Sequence, residues 1–179
     1  MQGIVFQVLE SCYVDAFGPD AWFEVSAAAG ASDSYTYDAS YPDAELGRLV
    51  GAICAAQGLS VPDALRWFGE RAIPHFRALT PDLFEAHQAC WPFLRSLNDI
   101  IHPQVRDLYP GVNVPDFEYP PAAGDTRIIV YRSARRMCAL AEGLMLGAAA
   151  HYRESLAISQ SHCMHRGDDH CRFELSFTG

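Results

Sequence analysis

The chain lacks any stretch both long enough and apolar enough to span a bilayer. Its longest apolar run, "MCALAEGLMLGAAA", is too short and carries Glu142. No basic segment followed by an apolar core opens the chain, so the expectation is a cytoplasmic protein rather than a secretory precursor. Positive charge is scarce: 13 Lys and Arg stand against 22 Asp and Glu, giving a formal net charge of -9. That balance argues against nucleic acid or an anionic membrane as the main partner. A nucleophile elbow and paired carboxylates are also missing, and Ser133 has no base within its own motif, so the chain is not read as an enzyme. With no internal repeat and no low-complexity linker, the 179 residues are expected to form one domain, 1–179.

What the chain has is apolar substance. Half of its residues are hydrophobic and 12% are aromatic, enough for a sizeable core. The first two thirds read as helices. "GIVFQVLESCYVDAFG" places Ile4, Val5, Val8, Leu9 and Cys12 on one face and stops at Gly18. "PDAWFEVSAAAG" starts at a proline and stops at Gly30. "PDAELGRLVGAICAAQG" and "SVPDALRWFGERAIPHFRAL" are amphipathic, the second interrupted by Pro74. "DLFEAHQACWPFLRSLNDIIHPQVRDLYPG" adds one or two helices, one ending near His102 and the segment closing at Pro110-Gly111. Two short runs, "PDFEY" and "TRIIVYRS", then read as a hairpin. A helix follows, "RRMCALAEGLMLGAAAHY", in which Gly143 and Gly147 point to close approach of another element. "ESLAISQSHCMH" and "HCRFELSF" form strands around the turn "RGDD". Helices followed by a strand-rich half predict an α+β fold with an antiparallel sheet.

Two motifs carry candidate chemistry. In "YRSARR" strand alternation puts Tyr131, Ser133 and Arg135 on one face, offering two hydroxyls and a guanidinium fork to carboxylates. The ordinary alternative is a solvated strand end. In "HPQVRDLYPGVNVPDF" a neutral His102 imidazole would be a good iron ligand, while the ordinary alternative is a capped or core histidine. His75 and His87 sit in amphipathic helices and read as packing or surface residues.

Taken together, these segments resemble the heme nitric oxide/oxygen binding family, H-NOX. "MQGIVFQVLESCYVDAFGPDAW" resembles its N-terminus, and "HPQVRDLYPGVNVPDF" its proximal-histidine segment. Tyr131-Arg132-Ser133-Ala134-Arg135 matches its Y-x-S-x-R signature, and "CMHRGDDHCRFELSF" resembles its terminal hairpin. The resemblance implies a helical subdomain, about 1–60, packed on a sheet-containing and heme-ligating part, about 61–179, with heme b between them. It implies His102 as proximal iron ligand and Tyr131, Ser133 and Arg135 on the propionates. Pro115 would press on the porphyrin, with Val5 packing from the other face. No C-x-x-C-H is present, so the heme would be held noncovalently.

In oxygen-binding members a distal tyrosine donates to the ligand. The corresponding position here is Leu140, and with Leu9 and Leu144 it implies an apolar distal pocket without a donor. A tyrosine from elsewhere, such as Tyr13, would overturn this. The resemblance thus implies selectivity for nitric oxide, whose binding weakens the iron–His102 bond and shifts the helices. The signal would pass to a partner, a histidine kinase or a cyclic-di-GMP enzyme.

The chain has six cysteines, which without a secretory signal read as reduced thiols or metal ligands. A turn centred on Gly167 would set Cys163 opposite Cys171, with Cβ atoms roughly 4.5–5.5 Å apart. Cys138 from the preceding helix could add a third sulfur. Some H-NOX proteins carry zinc on three cysteines and a histidine, which implies Cys138, Cys163, Cys171 and His162 here, with His165 as the alternative fourth ligand. A zinc-thiol redox sensor, with or without heme, is the alternative function.

Overall fold

In the computed structural model, which describes residues 1–109 and 112–178, four helices come first: α1 (Gly3–Phe17), α2 (Pro19–Ala29), α3 (Asp43–Gln57) and α4 (Val61–Leu79). Their ends follow local chemistry. Gly18 takes a φ of 89°, where a side chain would be strained, and so lets α1 turn directly into α2 with Pro19 in its first turn. Ser60 caps α4 by accepting from the Asp63 N–H at 3.3 Å.

Helix α4 passes through Pro74 without a break, against expectation. The reason lies in the helix packed against it, α8 (Cys138–His151). A proline at 74 leaves the Glu70 carbonyl without its helical donor. Gly147 lies against that carbonyl, so closely that a Cβ there would come within 2.6 Å of the oxygen. Gly143 meets the Arg66 carbonyl at 2.2 Å in the same sense, and Gly69 meets that of Leu140 at 2.6 Å. The two helices therefore touch backbone to backbone, as Gly143 and Gly147 suggested. Gly69 completes the seam.

Between α4 and the sheet run α5 (Pro81–Glu85), α6 (Cys90–Ser96) and α7 (His102–Leu108). No helix ends at His102. A π-helical turn, Leu97–Ile101, joins α6 to α7, and the His102 N–H reaches back to the Leu97 carbonyl. Pro103 has no N–H to continue an α-helical ladder, and the wider turn accommodates it. Pro110 and Gly111, expected to close this segment, lie outside the described residues.

The strands β1 (Asp116–Glu118), β2 (Thr126–Arg132), β3 (Ser155–His162) and β4 (Cys171–Thr178) form one antiparallel sheet in the order β1-β2-β4-β3. The second hairpin turns through a 3₁₀ segment, Met164–Arg166, and Gly167 at φ 98°. A bulge between Gln160 and His162 shifts the register by one.

The interior forms two apolar clusters. One joins α1, α2 and α3 with Ala64, Phe68 and Ala72 of α4; the other joins the inner face of the sheet with α6 and α8. Leu144 and Phe76 touch both, so α4 and α8 are shared walls.

Candidate functional site

A cavity of about 850 Å³ lies where the two clusters meet. That is room for a sizeable organic cofactor. His102, Pro115, Tyr131, Ser133 and Arg135 all line it, as do Val5, Leu140 and Leu144. Leu9 does not. It is 1% exposed inside the helical cluster, because α1 reaches the cavity only with its first turn, through Ile4 and Val5. Tyr13 is also absent from the lining; it is fully buried elsewhere, and its hydroxyl accepts from Gln57 Nε2 at 2.8 Å.

His102 stands at the first position of α7 with its ring stacked on Phe117 of β1, centroids 5.5 Å apart. Burial, with the charge of Arg106, pulls its pKa down to about 4, and the Pro115 carbonyl and Asp116 only partly offset this. The ring is therefore neutral at physiological pH, the form that binds a metal. Among the described residues its buried Nδ1 has no partner at good hydrogen-bond geometry, the Pro115 carbonyl being the backbone group that acts on the ring. An imidazole so placed is costly unless a ligand uses the ring.

The carboxylate clamp is built differently from its expectation. Strand β2 ends at Arg132, so only Tyr131 is positioned by the sheet. Ser133 and Arg135 sit in a turn, where the Arg135 N–H donates to Ser133 Oγ at 3.2 Å. Tyr131 is 3% exposed, and burial raises its pKa, so its hydroxyl remains a donor. The Arg135 side chain is well covered; its Nε donates to Asp43 at 2.7 Å and its fork also meets the Asn113 carbonyl. Burial works against the ionised Asp43, but the bonds it accepts, from Arg135 first, keep its pKa below the usual value. Asp43 and Phe117 were not foreseen: both act through a neighbour, and neither bears a motif of its own.

The three sulfurs of Cys138, Cys163 and Cys171 lie within 4.8 Å of one another, with Cys138 and Cys163 at 3.9 Å. Burial and the neighbouring sulfurs push Cys138 up to about 12. Burial also opposes ionisation of Cys163, yet backbone N–H groups of His165 and Arg166 and the adjacent thiols hold it below the ordinary thiol value. Neither histidine expected beside them joins the cluster. His162 Nδ1 meets Ser161 Oγ at 3.3 Å and its ring stacks on His170; His165 Nε2 meets the Arg136 carbonyl at 2.6 Å. The bulge is the cause for His162: positions 156, 158 and 160 of β3 face inward, and the register shift after Gln160 turns 162 outward.

A neutral buried imidazole and the side chains of Tyr131, Ser133 and Arg135 thus line one largely apolar cavity. The profile of the Haem-NO-binding family matches residues 2–160, and the chain belongs to that family, the H-NOX proteins, which are heme-based gas sensors. Among solved structures, an H-NOX protein from Shewanella oneidensis in the Fe(II)NO ligation state is similar at 28% identity and a TM-score of 0.92, covering 100% of both chains. The Fe(II) unliganded H-NOX protein from K. algicida matches at 23% identity and TM-score 0.84, covering 100% of this chain and 97% of its own. An oxygen binding H-NOX domain related to soluble guanylate cyclases matches at 21% and 0.84, covering 100% and 96%. The last two show a shared fold. No curated protein matches in sequence. Among the described residues, no helix is long and apolar enough to cross a membrane.

Proposed function

We propose that this protein is a nitric oxide sensor in which heme b is ligated by His102 and held by Tyr131, Ser133 and Arg135. The heme, when bound, supplies the iron that takes up a diatomic gas. The chain's residues do the rest. His102 offers a neutral nitrogen, the clamp offers donors to two carboxylates, and Pro115 and Val5 border the space between.

The observation that carries nitric oxide over oxygen is the composition of the helical wall. Every residue that α1, α4 and α8 contribute to the lining is apolar, Leu140 and Leu144 among them; Gln2 and Tyr37, outside these helices, also line the cavity. Bound oxygen needs a hydrogen-bond donor because it carries superoxide-like charge; nitric oxide does not. The similarity at 28% identity to an H-NOX protein in the Fe(II)NO state supports nitric oxide as a ligand. The output passes to a separate cytoplasmic signalling protein, a histidine kinase or a cyclic-di-GMP enzyme, through a ligand-biased shift between two arrangements of the helices. The test is an absorption spectrum of reduced, heme-reconstituted protein with and without nitric oxide. A Soret band that shifts with nitric oxide, and no persistent oxygen complex in air, is the expected result. Absence of a Soret band overturns the heme reading, and a lasting oxygen complex overturns the selectivity.

The sulfur cluster favours a second, compatible reading. Three buried sulfurs this close suit zinc, with the fourth position supplied by a group other than His162 or His165 as they stand. A redox input through these thiols is the alternative function of the chain.

A further inference from the structure

The outer side of the same hairpin end carries a pair of imidazoles that the heme and sulfur sites do not use. His162 ends β3, and the bulge beside it turns its side chain to the surface. His170 precedes β4, next to the inward-facing Cys171. The two rings lie nearly parallel, 16° apart in plane with centroids 5.2 Å apart. Each has its Nδ1 engaged, His162 with Ser161 Oγ at 3.3 Å and His170 with the Asp169 carboxylate at 2.5 Å. Nε2 of neither ring has a hydrogen-bond partner among the described residues.

A carboxylate on Nδ1–H fixes the tautomer whose Nε2 carries the lone pair, and it raises the basicity of that nitrogen. The parallel rings, with centroids 5.2 Å apart, set the two imidazoles side by side at the surface, and an ion bound through both would hold each nitrogen at about 2.1 Å. The neighbouring guanidiniums are already paired: Arg172, the sheet partner of His162, with Glu174 at 3.2 Å, and Arg132, whose charge reaches Asp169, with Glu118. We propose that His162 and His170 form a surface chelate for a nitrogen-preferring divalent ion of the copper, nickel and zinc class, with Asp169 as the residue that orients His170. Its ion would tie the end of β3 to the start of β4 on the side opposite the three sulfurs.

Nickel is the probe, because it prefers imidazole and leaves thiols unoxidised. It is titrated into the purified protein after the sulfur cluster has been supplied with zinc, and both bound nickel and the melting temperature are followed. Saturable binding with a melting temperature that rises with nickel concentration is expected. His162→Ala and His170→Ala should each abolish it, Asp169→Asn should weaken it about tenfold, and His165→Ala should leave it unchanged. All four positions are at the surface hairpin, and far-UV circular dichroism confirms that each variant folds. Unchanged nickel binding in His162→Ala or His170→Ala overturns the proposal, as does binding that disappears in Cys163→Ala while both histidines remain. Absence of saturable binding in the unsubstituted protein overturns it as well. None of these outcomes depends on heme.

Discussion

The rings of His102 and Phe117 stack with 21° between their planes, and Phe117 is in turn the cross-strand partner of Tyr131, whose ring lies 5.6 Å from it. One aromatic side chain on a three-residue strand thus links His102 to Tyr131, the proposed iron ligand and the first of the proposed propionate ligands. The stack helps to set the plane of an imidazole whose Nδ1 has no well-aligned hydrogen bond among the described residues.

Phe117→Ala should therefore act on ligation as well as on stability. Loss of a half-buried aromatic with its stacking is worth about 1–3 kcal/mol. In the heme-loaded protein the iron–histidine stretching band in resonance Raman should shift or broaden. A variant that loses stability while this band stays unchanged would show that Phe117 is only filling space.

How far the sequence already disclosed this site can be judged residue by residue. His102 and Tyr131-Ser133-Arg135 were legible because two separate motifs occur in family order, and the cavity brings all four together. The seam of α4 and α8 was legible from two glycines spaced four residues apart on α8, Gly143 and Gly147. What stayed hidden depends on distance in sequence: the Asp43–Arg135 pair spans 92 positions, and nothing local marks either partner. Leu9, placed in the distal pocket by the family resemblance, lies outside the cavity lining, because among the described residues α1 reaches the cavity only with its first turn. His162 was misplaced because the hairpin's bulge and alternation, set by pairing with β4, decide which neighbour of Cys163 turns inward.

The sulfur cluster yields a clean contrast. Zinc content measured by mass spectrometry should be stoichiometric in the unsubstituted protein and lost in Cys163→Ala, because the remaining two sulfurs leave too few ligands. His162→Ala should keep its zinc, since that ring stacks on His170 and away from the sulfurs. Zinc loss in His162→Ala would restore it as the fourth ligand. Equal zinc in Cys163→Ala would remove the site.

Acid stability should depend on Glu45, a carboxylate 6% exposed that accepts three bonds at 2.8 Å, from the Ser32 N–H, Ser32 Oγ and the Tyr35 hydroxyl. Burial alone would raise its pKa, but these bonds together lower it below the value of 4.5 it has when unfolded. The folded state thus binds fewer protons than the unfolded state in that range. The stabilisation is complete above the unfolded pKa and disappears as pH falls through the folded one. Glu45→Gln should cost about 2 kcal/mol at pH 7 and flatten the fall in stability below pH about 4.5, as read by urea denaturation at a series of pH values. A variant whose acid limb matches the parent's would mean that other carboxylates set it.

The choice of gas should turn on one position of α8. Leu140 lines the cavity and is only partly buried, so a tyrosine there can direct its hydroxyl into the space without remaking the core. Leu140→Tyr should cost about 1–3 kcal/mol through added bulk, yet gain an oxygen-bound absorption spectrum that persists in air and that the parent lacks. Leu9→Tyr supplies the control. Its side chain lies in the helical cluster and outside the cavity lining, so it should lose stability and gain no oxygen binding. If Leu140→Tyr shows no oxygen complex while retaining its heme, a donor on this wall is insufficient. If Leu9→Tyr shows one, the wall has been assigned to the wrong turn of α1.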